Sequence, residues 1–230
     1  MAHHLVFGKI HVIEWLREED RRSGREAYED IRTMLATVPN SPVRAIFHRV
    51  SSKAAFLARL ERIERDYRLG RLIPLLHIDS HGDADAIGLS EYDSILWPDL
   101  MKALTPLNQA TGVRLPVFLA TCEGMWGIRM AQAMDRAPFF ALLGPSRKVY
   151  PGEVVRGMRA FYKKILIEND GHHAMEAMNN IVDPDSETFR IFNCEQLFEN
   201  VWNWYLEDSA NEENVISRID EAQRIREAEQ

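Results

Sequence analysis

The sequence predicts an α/β fold with a mostly parallel sheet, because segments with strand-like and helix-like hydrophobic patterns alternate along most of the chain. Two short apolar runs, Leu72–Ile78 and Leu115–Ala120, lie between turn signals, as is typical of strands buried on both faces of a sheet. Strands separated by helices need crossover connections, which are right-handed in almost all proteins. These observations predict a sheet with helices on both faces, in three layers.

The first part of the chain shows the pattern strand, helix, strand, helix. Lys9–Leu16 and Val43–Val50 alternate between apolar and polar residues in the manner of strands. We interpret Ser23-Gly24-Arg25-Glu26 as a capping box that opens the first helix. The second helix is predicted from apolar residues at helical spacing: Phe56, Leu60, Ile63 and Tyr67.

The rest of the chain continues the alternation and then changes character. The predicted elements are a helix at Asp99–Leu107, a helix through Ile128 and Met134, a strand at Pro138–Leu143 and a helix at Glu153–Glu168. From Pro184 onward the pattern indicates helix alone. We therefore predict a domain spanning residues 1–182 and a C-terminal helical extension, residues 183–230, that packs on it.

The composition is that of a folded protein with no basic surface. Hydrophobic residues make up 46% of the chain, charged residues 27%, and the formal net charge is −7. No dense basic stripe is present, so nucleic-acid binding is not expected. No apolar run is long enough to cross a bilayer, and two cysteines in a chain of 230 residues favour a reducing compartment. We expect a cytoplasmic protein that does not bind membranes.

Two residues with complementary chemistry follow the two apolar runs. His81 comes shortly after Leu72–Ile78, and Cys122 comes one residue after the end of Leu115–Ala120. The carboxyl ends of parallel strands meet at one edge of a sheet, so we expect both side chains to converge there. Cysteine attack on a carbonyl needs a thiolate, an imidazole to carry the proton and N–H groups for the oxyanion. We predict that Cys122, His81 and the N–H of Gly82 supply these groups, and that the helix after Cys122 favours its thiolate.

The segments LLHIDSHG and VFLATCEG resemble the motifs of the caspase-hemoglobinase group of cysteine peptidases (clan CD), in which an apolar strand ending in His-Gly precedes one ending in Ala-Cys. The later segments FFALLGPSRKV and FYKKILIENDGHHAMEAM look most like the bacterial CHAT-domain, caspase-like thiol proteases. The resemblance implies a caspase-like three-layer sandwich and a regulatory cysteine endopeptidase that needs no cofactor. Its substrate would be a protein or peptide, and a regulatory partner protein or a homodimer would fit the group.

The match to this group has departures and one further implied residue. Thr121 stands where alanine usually precedes the cysteine, and Ala120 stands where metacaspases carry an aspartate associated with basic substrates. A preference for Arg or Lys is therefore not implied. Glu123 follows the cysteine as in legumains and CHAT domains, which implies a role for Glu123 in substrate binding.

Other hypotheses remain open for these residues. Asp79, His81 and Asp83 resemble the Asp-Ala-His-x-Asp metal motif of ureohydrolases, which would make the chain a metal-dependent hydrolase, although the other metal-binding elements of that family are missing. Alternatively Asp79 and Asp83 bond to loop backbone, or orient His81. The chain could also be a catalytically inactive caspase-like interaction module. Cys194 is expected to be a buried structural thiol.

Overall fold

The computed structural model of this protein describes residues 5–38, 41–90, 92–131 and 136–194. The strands are β1 (Lys9–Trp15), β2 (Arg44–Arg49), β3 (Pro74–Gly82), β4 (Ala86–Ser90), β5 (Asp93–Leu96), β6 (Pro116–Ala120), β7 (Ala141–Pro145) and β8 (Phe189–Asn193). The helices are α1 (Ser23–Thr37), α2 (Lys53–Gly70), α3 (Trp97–Ala110), a 3-10 helix (Gly124–Met130), α4 (Pro151–Glu168) and α5 (Gly171–Val182).

A single sheet runs through the molecule in the strand order β2-β1-β3-β6-β7-β8. The first five of these strands pair in parallel, and β8 pairs with β7 in antiparallel fashion. Strands β4 and β5 form a hairpin that continues from the end of β3. The predicted α/β class with a mostly parallel sheet is confirmed.

The sheet is buried on both faces because its central strands send alternate residues into two separate cores. In β3, Leu76 and Ile78 enter one core and Leu75 enters the other. Helices α2 and α3 cover the first core, whereas α1, α4 and α5 cover the second. This two-sided burial explains the short apolar runs in the sequence and gives the predicted three layers.

Helix α1 begins at Ser23, as predicted, but not through a capping box. The Ser23 hydroxyl donates to Oδ2 of Asp79 over 2.7 Å, and the Glu26 carboxylate binds the guanidinium of Arg21 instead of the helix backbone. The predicted role of these two residues is therefore wrong. A buried carboxylate without hydrogen bonds is costly, so the serine hydroxyl is better used on Asp79 than on an accessible helix N–H group.

Two buried carboxylates lie beneath the start of α1. Glu14 of β1 and Asp79 of β3 are opposite each other in the sheet, with exposures of 1% and 3%. The backbone N–H of Arg25 donates to Oε2 of Glu14 over 3.0 Å, and Arg22 approaches Oε1 at 3.2 Å. Burial, together with the charge of Glu14, raises the pKa of Asp79 to about 7, against the opposing effect of hydrogen bonds from Ser23 and the backbone.

Two elements around the strand ends differ from the sequence prediction. Strand β3 continues through Gly82, because His81 and Gly82 pair with β4. The segment after β6 is a seven-residue 3-10 helix rather than an α-helix, since two glycines at Gly124 and Gly127 weaken α-helical propensity there. Met134, which was placed in the same helix, lies outside the described residues.

The start of the predicted helical extension belongs to the sheet. Residues 183–194 include strand β8, which pairs with β7 from Phe189 opposite Pro145 to Asn193 opposite Ala141. The prediction of helix alone from Pro184 is therefore wrong for this stretch, where pairing with an open strand edge decides the local structure. The remainder of the predicted extension, from residue 195, lies outside the described residues. Within the described ranges, no helix has the length and apolar character needed to span a membrane.

The buried carboxylate of Asp79 predicts an unusual pH dependence of stability. Because the pKa of Asp79 is raised in the folded state, the stabilisation that comes from its neutral form is fully present below the unfolded pKa of about 4. This stabilisation is lost as the pH rises through 7. Asp79→Asn keeps an oxygen for Ser23 and stays neutral. We expect the difference in free energy of unfolding, Asp79→Asn minus the unsubstituted chain, to increase between pH 4.5 and pH 8. Urea titrations at each pH measure it.

The control for this measurement is Asp85→Asn, because the side chain of Asp85 is 82% exposed. It corrects for the general effect of removing one carboxylate. A difference between Asp79→Asn and the unsubstituted chain that stays constant from pH 4.5 to pH 8 would contradict the raised pKa of Asp79.

Candidate active site

The ends of β3 and β6 bring the two predicted catalytic residues to one edge of the sheet. The two strands are adjacent and parallel, as predicted, with Leu76 opposite Val117 and Asp79 opposite Ala120. His81 and Cys122 each lie two residues beyond this last pair. Both therefore lie at the same level beyond the β3–β6 ladder, on neighbouring strands.

Gly82 packs directly against the segment that carries Cys122. A Cβ atom at Gly82 would lie 2.9 Å from the carbonyl oxygen of Cys122 and 2.9 Å from Oγ1 of Thr121. Such contacts are shorter than real Cβ atoms make, and the carbonyl oxygen cannot move without its backbone. Only glycine fits here without rearrangement.

Cys122 lies in a tight turn that is held by the loop between β7 and α4. The thiol is half-buried, and Sγ donates to the carbonyl oxygen of Val149 over 3.5 Å. The next residue, Glu123, has a left-handed backbone with φ of 55°, and its N–H donates to the carbonyl of Arg147. Because a short 3-10 helix follows, the predicted support of the thiolate by an α-helix N-terminus is not present.

His81 is oriented by a carboxylate that the sequence analysis did not identify. Its ring is half exposed, and Nε2 lies 2.8 Å from Oδ2 of Asp20, in the loop after β1. Burial alone would raise the pKa of Asp20, but hydrogen bonds from His81 and from the backbone N–H of Arg17 outweigh it and leave that pKa below its ordinary value. One signal pointed to this loop: β1 is a parallel neighbour of β3, so the loop after β1 leaves the sheet at the same edge.

The bonds of His81 and Cys122 run to other partners. The imidazole binds Asp20 and the thiol binds Val149, so neither of these contacts joins the predicted nucleophile to the predicted base. His81 and Gly82 line a cleft of about 360 Å³, together with Arg17, the β3–β4 turn and the β4–β5 hairpin. The cleft therefore opens beside Gly82, against which Cys122 is packed.

The cluster proposed as a metal site does not come together. The Asp79 carboxylate binds Ser23, whereas Oδ1 of Asp83 accepts the backbone N–H groups of Asp85 and Ala86 over 2.8 and 2.9 Å. The bonding of Asp83 to loop backbone is thus confirmed, and the carboxylate on His81 belongs to Asp20, not to Asp79 or Asp83. Across the described ranges, no three His, Cys, Asp or Glu side chains form a group that could hold a metal ion.

Cys194 and a second cavity are separate from the predicted catalytic residues. Cys194 is 2% exposed in the core beneath α2 and α3, and burial raises the pKa of its thiol to about 12. Its predicted structural role is confirmed. A cavity of about 660 Å³ lies between α5 and β8, but His81, Gly82 and Cys122 do not line it. We place the candidate site at the smaller cleft because His81 and Gly82 line it and Gly82 packs against the backbone of Cys122.

Comparison with known proteins supports the fold but does not reach the function. No family model matches the sequence, and no curated protein is similar enough to serve as a relative. Among solved structures, the chain is similar to caspase-1 from Spodoptera frugiperda, with a TM-score of 0.56 and 12% sequence identity. The alignment covers 84% of this chain and 88% of that chain.

The described structure, a mostly parallel sheet between two helical layers, matches this caspase-like architecture. At 12% identity the comparison establishes architecture alone. It gives no support to the bacterial CHAT subgroup over other members of the group. The chain has a caspase-like α/β fold.

Proposed function

We propose that this chain is a caspase-like cysteine endopeptidase that works through a covalent acyl-enzyme, with Cys122 as the nucleophile and His81 as the base. One observation carries the proposal: His81 and Cys122 lie two residues beyond the last paired positions of neighbouring parallel strands. A base and a nucleophile at the same level of one sheet edge can reach the same substrate carbonyl.

In the proposed reaction, the Cys122 thiol gives its proton to His81 as sulfur attacks the carbonyl carbon of the substrate. The tetrahedral intermediate then expels the amine, which takes the proton from His81, and a thioester remains on Cys122. Water, deprotonated by His81, hydrolyses the thioester and restores the thiol. The cycle needs no metal and no cofactor.

The thiol must leave Val149 before this reaction can begin. Its present bond to the Val149 carbonyl uses the protonated form of Cys122 as a donor. Catalytic hydrogen bonds in empty enzymes are often long or misdirected and form only when substrate binds. In the proposed function, substrate in the cleft beside Gly82 turns the thiol from Val149 toward His81.

The N–H of Gly82 is the proposed oxyanion donor, together with the N–H of Cys122. The N–H of Asp83 donates to Ala86 across the β3–β4 ladder, so Gly82 occupies the alternate position, at which the N–H does not point toward β4. That N–H belongs to a residue packed against Cys122. A substrate carbonyl over Cys122 would therefore lie within reach of it.

Several finer features of the proposal come from the resemblance to clan CD. Glu123 is proposed to contribute to substrate binding, as its counterpart does in legumains, and its position immediately after Cys122 is consistent with that. A regulatory role on protein or peptide substrates, in a bacterial cytoplasm, with a protein partner or as a homodimer, is likewise carried by the resemblance. These features depend on the catalytic assignment being correct.

The bond from Cys122 to Val149 also favours a second candidate, an inactive caspase-like interaction module. In such a protein the thiol would stay protonated on Val149, and the cleft would bind a partner without cleaving it. The two candidates differ in whether Cys122 acts as a catalytic nucleophile. The following measurements separate them.

Cys122→Ala is expected to abolish cleavage of a fluorogenic tetrapeptide library in which the residue before the scissile bond is varied. The loss should be at least about 1,000-fold, because the nucleophile itself is removed. Cys194→Ala is the matched control, since it removes the other thiol, and it should retain activity. EDTA should leave the rate of the unsubstituted enzyme unchanged.

Two results would overturn the peptidase assignment. One is full activity of Cys122→Ala that EDTA removes, which would favour a metal-dependent hydrolase. The other is no cleavage of any library member by a folded, unsubstituted chain, which would favour the interaction module.

We expect brief iodoacetamide treatment to modify Cys122 well before Cys194. Alkylation needs an accessible, ionised thiol, and Cys122 is half-buried at the sheet edge, whereas burial raises the pKa of Cys194 to about 12. Peptide mapping by mass spectrometry at pH 7 measures both rates in one sample. Faster modification of Cys194 would contradict the assignment of the reactive thiol.

Gly82→Ala is expected to lower cleavage by more than about tenfold, because the new Cβ would push the Cys122 carbonyl away and displace the oxyanion donors. The same crowding should destabilise the fold by about 1–3 kcal/mol. The control is Gly70→Ala, because a Cβ at Gly70 meets no atom within 4 Å. Normal activity of Gly82→Ala would show that this glycine does not shape the site.

A further inference from the structure

The contact between His81 and Asp20 extends the site beyond the predicted pair. We infer that Asp20 is a positioning residue that fixes the orientation and tautomer of His81, so that Cys122, His81 and Asp20 act as a triad. The inference rests on the proposed function. The observation behind it is the 2.8 Å separation of Oδ2 of Asp20 and Nε2 of His81, across 61 positions of sequence.

The Asp20 carboxylate is held in place before it meets His81. The backbone N–H of Arg17 donates to the same Oδ2 over 2.8 Å, which closes a tight turn from Arg17 to Asp20. The Arg17 side chain in turn donates Nε–H to the carbonyl of Leu89 in β4 over 2.9 Å. The loop is thus fixed to the hairpin that flanks His81, and the carboxylate does not depend on His81 for its position.

The residues that follow Asp20 are anchored as well. Arg21 binds Glu26 through two hydrogen bonds of 2.8 and 2.7 Å, and Arg22 pairs with Glu14 at 3.2 Å. Each of these neighbouring cations therefore has a carboxylate partner of its own. The Ser23 hydroxyl on Asp79 completes the attachment of this segment to the sheet.

The atoms involved define the chemistry of His81. A carboxylate accepts hydrogen bonds, so Nε2 carries the proton, and Nδ1 is left with the lone pair that can accept the proton of Cys122. When that proton arrives at Nδ1, the ring becomes an imidazolium whose charge faces the Asp20 carboxylate. Asp20 stays ionised throughout, and the proton on Nδ1 later passes to the leaving amine. Asp20 therefore acts through His81 and does not touch the substrate.

A surface ion pair that plays no part in catalysis would have the same geometry as a pair in which Asp20 positions His81. The two cases differ in whether replacing Asp20 lowers catalysis. The side chains of Asp20 and His81 are 24% and 50% exposed, and exposed pairs contribute little to stability. Asp20→Asn should therefore leave thermal unfolding nearly unchanged in both cases. If Asp20 positions His81, catalysis and the reactivity of Cys122 should fall.

The test compares Asp20→Asn with the control Asp30→Asn. Asp30 is 27% exposed and pairs with Arg159 at 2.9 Å, so burial, pair distance and substitution match those of Asp20. We expect Asp20→Asn to lower kcat/KM on the tetrapeptide library on the order of 10- to 100-fold. Asp30→Asn should leave it unchanged.

Alkylation of Cys122 by iodoacetamide gives a second measurement that needs no substrate. With Asp20 replaced, the His81 ring is no longer held in one orientation to accept the proton of Cys122, so the alkylation rate at pH 7 should fall about tenfold. The other charged groups that line the cleft with His81 are Arg17, Asp83 and Asp85. They are present in both the unsubstituted chain and Asp20→Asn, so they do not account for a difference in rate.

The outcomes separate this inference from the proposed function. If Cys122→Ala is inactive but Asp20→Asn matches Asp30→Asn in both measurements, the triad is wrong and the peptidase assignment stands. If Cys122→Ala remains active, the peptidase assignment fails. The orientation of His81 by Asp20 is then tested separately, by ¹⁵N NMR of the His81 ring in the unsubstituted protein. The same measurement is used if Asp20→Asn does not fold. A proton on Nε2 at pH 8 is the expected result, and a proton on Nδ1 would overturn the inference.

Discussion

The parallel pairing of β3 with β6 is the constraint on which the rest of the site depends. It fixes His81 and Cys122 at the same level, two residues beyond the last pair of the β3–β6 ladder. The outer neighbours of the two strands then supply the surroundings, since β1 beside β3 delivers the loop with Asp20, and β7 beside β6 delivers the loop with Val149. One set of backbone hydrogen bonds therefore determines which four loops meet.

The fold was predictable because two-sided burial leaves a direct trace in the sequence. A strand covered by helices on both faces is largely apolar, and β3 and β6 are recognisable by their apolar runs for that reason. Strand β8 left no such trace, because its formation depends on the open edge of β7, a partner distant in sequence. The same limit applies to Ser23, whose hydroxyl is claimed by a carboxylate that only the folded sheet brings near.

The residues of the candidate site likewise fall into those that the sequence alone could identify and those that it could not. His81, Gly82 and Cys122 could be found from sequence because each lies within a few residues of the end of an apolar run, whereas Asp20 lies in a polar stretch with five other acidic or basic residues from Arg17 to Arg22. Nothing in the local pattern distinguishes one carboxylate there from the rest. What singles out Asp20 is a hydrogen bond across the site. The metal hypothesis failed for the converse reason: residues close in sequence were assumed to share a direction, but Asp79 and Asp83 are each bound elsewhere.

The two reactive residues differ in how firmly the backbone holds them. His81 lies within a continuous ladder, since β3 runs past it into the pairing with β4, so its main chain is braced by regular hydrogen bonds. Cys122 instead precedes a left-handed residue, Glu123, and a short 3-10 helix, so its main chain lies outside the hydrogen-bond ladders of the sheet. In the proposed function, adjustment to an incoming substrate would therefore fall on Cys122, and the thiol would be aligned to an imidazole whose main chain stays in place.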